Sequence, residues 1–248
     1  EIPVLEITNQ EEKRYLQNYI PENIIGSKAI SSCYVKKLAA GGGIHVAARN
    51  ITWVSERMYA NALVTAGVYD ADVLVVAPHE VSGTAALIGI YNAFESLNNQ
   101  PLVPYRKQLG VKELVKTGEL GEEVGQDTAA EFIRRSKEKI YEKNVTTKNE
   151  IKTIMQGVGR EMNIDLTPQR KEEITDLLFE IKNLNLNVEN LKDQLKNFTP
   201  ETKESRNRTE IPDWLNRIIV FFMELWQKIF GMVSKIWQRT QGDIDIKT

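Results

Sequence analysis

The chain has 248 residues, 32 Lys and Arg against 34 Asp and Glu, 42% hydrophobic residues and a single cysteine. This balance excludes wholesale disorder, because enough apolar material is present to build a core. It also excludes an intrachain disulfide framework and a dominant basic surface of the kind that neutralises nucleic-acid phosphates.

Val4 to Thr8 reads as a short strand. Asn9 with Glu12 forms a capping-box pattern, opening a helix with Tyr15, Leu16, Tyr19 and Ile20 at helical spacing; Pro21 ends it. Two β-compatible runs follow, Ala29 to Leu38 and Ile44 to Ile51. The triple glycine Gly41-Gly42-Gly43 between them predicts a hairpin loop, since glycine tolerates positive φ. Ser55 is placed to cap a helix carrying Met58, Tyr59, Ala62, Leu63 and Ala66, with Gly67 as its stop. The continuous apolar run from Asp72 to Ala77 predicts a central strand buried on both faces. A loop over Pro78 to Val81 then leads into Ser82-Gly83-Thr84 and a helix from about Ala85 to Leu97. The expected fold is α+β: a small four-stranded sheet with helices, over residues 1–100.

Beyond Pro101 the pattern turns helical. Helices are expected near Tyr105–Lys116, Asp127–Lys143, Thr147–Met162, Thr167–Asn183 and Val188–Asn197, forming a helical domain over 101–198. Thr147 with Glu150 is a second capping box, and Thr167-Pro168 puts proline at a first helical position. The basic run from Arg134 to Lys143, interrupted by Glu138 and Glu142, reads as a solvated helix face with i,i+4 pairs. Residues 199–211 read as a polar linker, and 212–240 as an amphipathic interaction helix. Four Asn-X-Thr sequons, at Asn50, Asn144, Asn197 and Asn207, are expected to be chance matches.

Several stretches carry a resemblance. They are Tyr15-Leu16, the segment Ile25-Gly26-Ser27-Lys28-Ala29-Ile30-Ser31-Ser32, Met58 through Val68, and Val76-Ala77-Pro78-His79-Glu80-Val81-Ser82-Gly83-Thr84 with Ala85 to Leu87. Together they resemble the YpuA-like family, a domain-of-unknown-function family of exported proteins found mainly in Firmicutes. The similarity is dense from Glu11 to Glu95 and looser around Glu113-Leu114-Val115 and Glu119-Leu120-Gly121. It implies an exported, envelope-associated protein and supplies no catalytic residues. It also implies that a signal peptide and a strand–helix unit precede this chain's starting point in family precursors. Cys33 stands where the family pattern suggests a small polar residue.

For chemistry, His45, His79 and Cys33 match no zinc-ligand spacing, so no metal, cofactor or catalytic group is expected. Ser82, Gly83 and Thr84, at a strand-to-helix turn, offer backbone N–H groups suited to an anion; capping by Ser82 or Thr84 is the structural reading of the same residues. The terminal segment is the stronger lead. Trp214, Ile218, Phe222, Trp226, Phe230 and Trp237 crowd its apolar arc, while Arg217, Lys228, Lys235 and Arg239 fall in a narrow polar stripe. Such a helix suits a membrane interface or a partner protein. The expected role is therefore an extracytoplasmic, non-enzymatic envelope protein that binds a membrane surface or partner and no nucleic acid. The alternatives are a hydrolase or anion-binding enzyme sited around Ser82, with His79 and Glu80, and a structural protein that forms homo-oligomers through the terminal helix.

Overall fold

The computed structural model describes residues 30–196, together with Leu5, Gln10 and Lys13. The strand expected at Val4–Thr8, the helix around Tyr15–Ile20, the linker and the terminal segment from Trp214 to Arg239 lie outside the described residues.

The described chain is α+β, with a three-stranded sheet and seven helices. Strand β1 is Ser32–Lys37, β2 is Ile44–Ile51 and β3 is Ala71–Val81. Helix α1 is Glu56–Ala66, α2 is Thr84–Asn98 and α3 is Pro104–Val124. They are followed by α4, Gln126–Glu142; α5, Lys148–Met162; α6, Pro168–Lys182; and α7, Val188–Leu195. Of the four expected strands, three are therefore present among the described residues.

The sheet order is β1-β3-β2, with β1 antiparallel and β2 parallel to β3. This corrects the expected hairpin. The most apolar strand, β3, inserts between β1 and β2 and buries Val73, Leu74, Val75 and Val76. A strand buried on both faces gains most at the centre, so the triple-glycine loop spans β3 instead of closing a two-strand turn. Gly41 and Gly43 have φ of +82° and +79°, so glycine is used there for its backbone freedom. β2, α1 and β3 form a parallel crossover unit. A second correction concerns Pro78 to Val81, which continues β3 instead of forming a loop; after a bulge, Ile51 pairs with Val81.

Helix ends follow the capping chemistry. Ser55 Oγ accepts from the Met58 N–H and Gly67 closes α1 at φ +93°. Thr147 and Glu150 form a reciprocal box at the start of α5, and Pro168 opens α6 behind Thr167. The core around the sheet is built from Ile44, Val46, Val73, Val75, Leu63, Leu87 and Tyr91, and it also takes Leu114 from α3 and Leu191 and Leu195 from α7. A second cluster, containing Phe132, Ile133, Ile151, Met155, Val158 and Ile174, joins α4, α5 and α6.

Candidate functional site

The turn after β3 is shaped by its packing. Val81 O accepts from Thr52 N–H, and Ser82 O accepts from Val54 N–H. Gly83 then takes φ +93° and serves as the N-cap of α2, with no side-chain capping bond. This corrects the expectation that Ser82 or Thr84 caps the helix. The Gly83 carbonyl accepts from the Tyr59 hydroxyl. A Cβ at Gly83 would lie 2.4 Å from Ile51 Cγ2 and 2.6 Å from the Tyr59 hydroxyl, so the space beside it is filled by protein. Thr84 is buried and Ser82 half-buried, with their hydroxyls 3.5 Å apart.

The neighbours proposed for chemistry at this turn stand elsewhere. His79 and Glu80 are exposed near the end of β3, where His79 Nδ1 lies 3.3 Å from the Glu80 carbonyl oxygen. Cys33 is on β1 and packs against the core, where burial pushes its thiol up to about 12. Burial, with some help from Cys33, also raises the Tyr59 hydroxyl well above its usual range, so Tyr59 acts as a neutral donor. His45, on β2, pairs through Nδ1 with Asp72 Oδ1 at 2.6 Å, and Lys36 lies 4.0 Å from the other Asp72 oxygen. Among the described residues, no three His, Cys, Asp or Glu stand close enough to hold a metal ion.

The most chemically loaded place in the described chain lies where α1, α3 and α4 meet. Glu113 is 0% exposed and Lys137 1% exposed, and their charged atoms are 2.6 Å apart. The second Glu113 oxygen accepts from Thr65 Oγ1 at 2.5 Å. The Lys137 ammonium also donates to Asn61 O at 3.2 Å and to Thr65 Oγ1 at 3.3 Å. Asn61 Nδ2 in turn donates to Ala130 O, tying α1 to α4. Burial raises the Glu113 carboxyl above its ordinary value, against the pull of Lys137 and Thr65. The buried Tyr91 hydroxyl, without a hydrogen-bond partner, lies beside Gly110, where a Cβ would sit 2.3 Å from it and 2.7 Å from Ala62 O. Glycine at 110 thus lets α3 approach α1 and Tyr91 closely.

Next to this pair, Glu131 joins three arginines: Arg57 at 3.1 Å and Arg134 and Arg135 at 2.7 Å each, while Arg134 also reaches Glu138 at 2.5 Å. Burial pushes the Glu131 carboxyl up, but the hydrogen bonds and charges of Arg134 and Arg135 bring it below its ordinary value. The basic run of α4 is therefore only partly as expected. Its i,i+4 pairs exist, but Arg134 and Lys137 are buried, because α4 packs on both α1 and α3.

The signal for the buried pair lay in the helical register. Ala130, Ile133, Lys137 and Ile140 follow 3-4-3 spacing, as do Gly110, Glu113, Thr117 and Leu120, so each charged residue occupies a position on an apolar stripe. Sequence reasoning that weighed Lys137 as part of a basic run missed this. The residues of the terminal segment, Trp214, Arg217, Ile218, Phe222, Trp226, Lys228, Phe230, Lys235, Trp237 and Arg239, lie outside the described residues.

Comparison with known proteins gives one family. The profile described as "Protein of unknown function (DUF1002)" matches residues 1–198. The chain belongs to this family. Within reach of it is "Uncharacterized protein YpuA" of Bacillus subtilis (strain 168), 36% identical over 227 residues, which cover 91% of this chain and 78% of the relative. The YpuA-like resemblance read from the sequence is thereby upheld. No solved structure matches. For this DUF1002 chain, the buried cluster at Glu113 and Lys137 is protein-internal, and among the described residues no helix is long and apolar enough to cross a membrane.

Proposed function

We propose that this DUF1002 protein is a non-enzymatic, extracytoplasmic envelope protein that rests on a membrane surface through the segment 212–240. The reading of the Ser82–Gly83–Thr84 turn as structural is supported by its packing: the Gly83 carbonyl accepts from the Tyr59 hydroxyl, and Tyr59 and Ile51 take the space a Gly83 Cβ would need. Here the glycine serves internal packing, and His79 and Glu80 are directed to the surface of β3. The charged groups at the helix junction are likewise engaged with one another.

The membrane part is supported by the sequence of the terminal segment. Three of the four tryptophans lie between residues 214 and 237, on an apolar arc opposed by Arg217, Glu224, Lys228, Lys235 and Arg239. An apolar arc rich in Trp beside a cationic stripe is the composition of a helix lying in the lipid interface. The test is flotation of the full chain with anionic liposomes, comparing wild type with the triple variant Phe222→Ser, Trp226→Ser, Phe230→Ser. Wild type is expected to float and the variant to stay at the bottom. Equal behaviour of the two rejects contact through this segment. A wild-type dimer in light scattering that the variant abolishes would favour oligomerisation instead.

A further inference from the structure

Helix α7 is the shortest of the described helices and the last described element. It has eight residues, too few for a helix to persist by itself in water, so its shape depends on docking. Its inward side is formed by Leu191, Gln194 and Leu195, at i, i+3 and i+4, each at most 2% exposed. Glu189, Lys192 and Asp193 are exposed. By contrast, α1 buries nine consecutive residues, Met58 to Ala66.

The polar part of this docking centres on one residue. Asp70 stands in the connection between α1 and β3 with φ +52°. Its carbonyl accepts from Leu38 N–H at 2.7 Å, and its Oδ1 accepts from Gly43 N–H at 2.9 Å, so both ends of the β1–β2 crossing loop are tied to it. Gln194 completes the set. Its Oε1 accepts from Asp70 N–H at 2.7 Å and its Nε2 donates to Asp70 Oδ1 at 2.9 Å. Both amide atoms of a buried glutamine are thus engaged by a single residue. The remaining ties lie at the surface. The Lys196 ammonium donates to Gly41 O at 2.7 Å, and Lys192 pairs with Glu142 of α4, where exposed charges hold weakly.

The chain that enters α7 is fixed in another way. Leu186 is buried with Leu177 and Ile181, Arg106 donates to Leu184 O at 3.3 Å, and Asn185 takes φ +51°. Asn187 then caps α7, its side chain accepting from Asn190 N–H. Firm apolar anchoring therefore ends at Leu186, and a short helix follows that is held by two leucines and one amide clasp. An element with few buried apolar contacts opens before the body that carries it. Departure of α7 leaves the sheet ladder whole, since β1 and β2 are both paired to β3.

We propose that α7 is a strap that swings off the body as one unit, hinged after Leu186 and clasped by Gln194 on Asp70. This inference goes beyond the membrane reading and does not rest on it. Its mechanical effect follows from chain geometry. Released and extended, the eight residues of α7 lengthen the chain leaving the body by up to about 27 Å, so the clasp sets the reach of whatever follows Lys196.

The test is native-state hydrogen exchange of the full chain at neutral pH, resolved to single amides. The amides of residues 191–195 are expected to exchange together, at least about 100-fold faster than those of α1 and β3. Gln194→Ala is expected to speed exchange in α7 by roughly tenfold or more and to leave α1, β3 and α4 to α6 unchanged. Amides 191–195 protected as strongly as β3 overturn the proposal, because α7 then opens only with the whole body. A graded rise in exchange from residue 191 to residue 195 signals fraying of a helix end and overturns it as well. Equal acceleration across the molecule in Gln194→Ala, or none in α7, rejects the clasp. The wild-type protein decides whether α7 opens as a unit even if the variant fails to fold, and liposome flotation has no bearing on any of these outcomes.

Discussion

Replacing Lys137 by Met tests the reading of the buried pair as a structural link between α3, α4 and α1. The substitution keeps most of the side-chain volume and removes the ammonium, leaving the Glu113 carboxyl buried with Thr65 as its remaining hydrogen-bond donor among the contacts described. Breaking a buried pair from one side costs about 3–5 kcal/mol. The carboxyl can escape part of that cost by taking up a proton. With an unfolded value near 4.3, protonation at pH 7 costs about 3.7 kcal/mol, which caps the electrostatic loss. The pH dependence follows. In the variant, folded Glu113 holds a proton that the unfolded chain has released, so its carboxyl is raised above the unfolded value. Stability then improves as pH falls towards that value, by about 1.4 kcal/mol per pH unit. The loss relative to wild type is expected to shrink by about 2–3 kcal/mol between pH 7 and pH 5, measured by urea unfolding at each pH. The double variant Glu113→Leu, Lys137→Met is expected to lose less than the two single losses combined, since it leaves no buried charge. A Lys137→Met loss below about 1 kcal/mol, or one unchanged between the two pH values, would refute the reasoning.

Four further outcomes are expected. Gly83→Ala should destabilise by about 2–4 kcal/mol, because it forces a side chain to positive φ and into Ile51 and Tyr59; a thermal melt checks this. Thr147→Ala removes a capping box and should cost about 0.5–2 kcal/mol in urea unfolding. Burial raises the Asp70 carboxyl, but bonds from Gln194, Gly43 and Gly41 and the charge of Lys196 bring it below its usual value. Its contribution is therefore present above the unfolded value and fades as pH falls through the folded one. Asp70→Asn, which tolerates the same left-handed backbone at φ +52°, should flatten the acid limb of the stability curve between pH 5 and the carboxylate range. Gly118→Ala places a Cβ 2.2 Å from the Trp53 ring and should expel that ring, read as a shift in tryptophan emission in protein whose other tryptophans are phenylalanine.

Local rules carried much of the fold. Ser55, Gly67, Thr147, Glu150 and Pro168 mark helix ends in both sequence and structure, because capping depends on neighbours within one turn. β3 was legible as a central strand, because an unbroken apolar run demands cover on both faces. Strand order was not, since glycines at 41 and 43 allow a tight turn and a longer crossing equally well, and the choice depends on residues some 30 positions away. The extra length of α3, which runs on to Val124, was hidden by Gly118 and Gly121, which look like breakers. Their role is tertiary: Trp53 lies on one and Gln126 on the other. At the turn, Ser82-Gly83-Thr84 looked like a capping or anion-binding sequence, and only the position of Tyr59, 24 residues earlier, shows how Gly83 is used. Lys137 and Glu113 were readable in register but were weighed by charge.

The insertion of β3 between β1 and β2 has a consequence for biosynthesis. β1 and β2 are joined by six residues, yet among the described strands each bonds only to β3. Of the described elements, a nascent chain that has emerged only as far as Gly67 holds β1, β2 and α1 without the strand that unites them. The sheet must wait for Ala71 to Val81, and β1 then closes a loop of about 40 residues to reach its partner, a costly late step. Until that moment the apolar faces of β1 and β2 are unprotected strand edges, the state most open to wrong pairing and to chaperone capture.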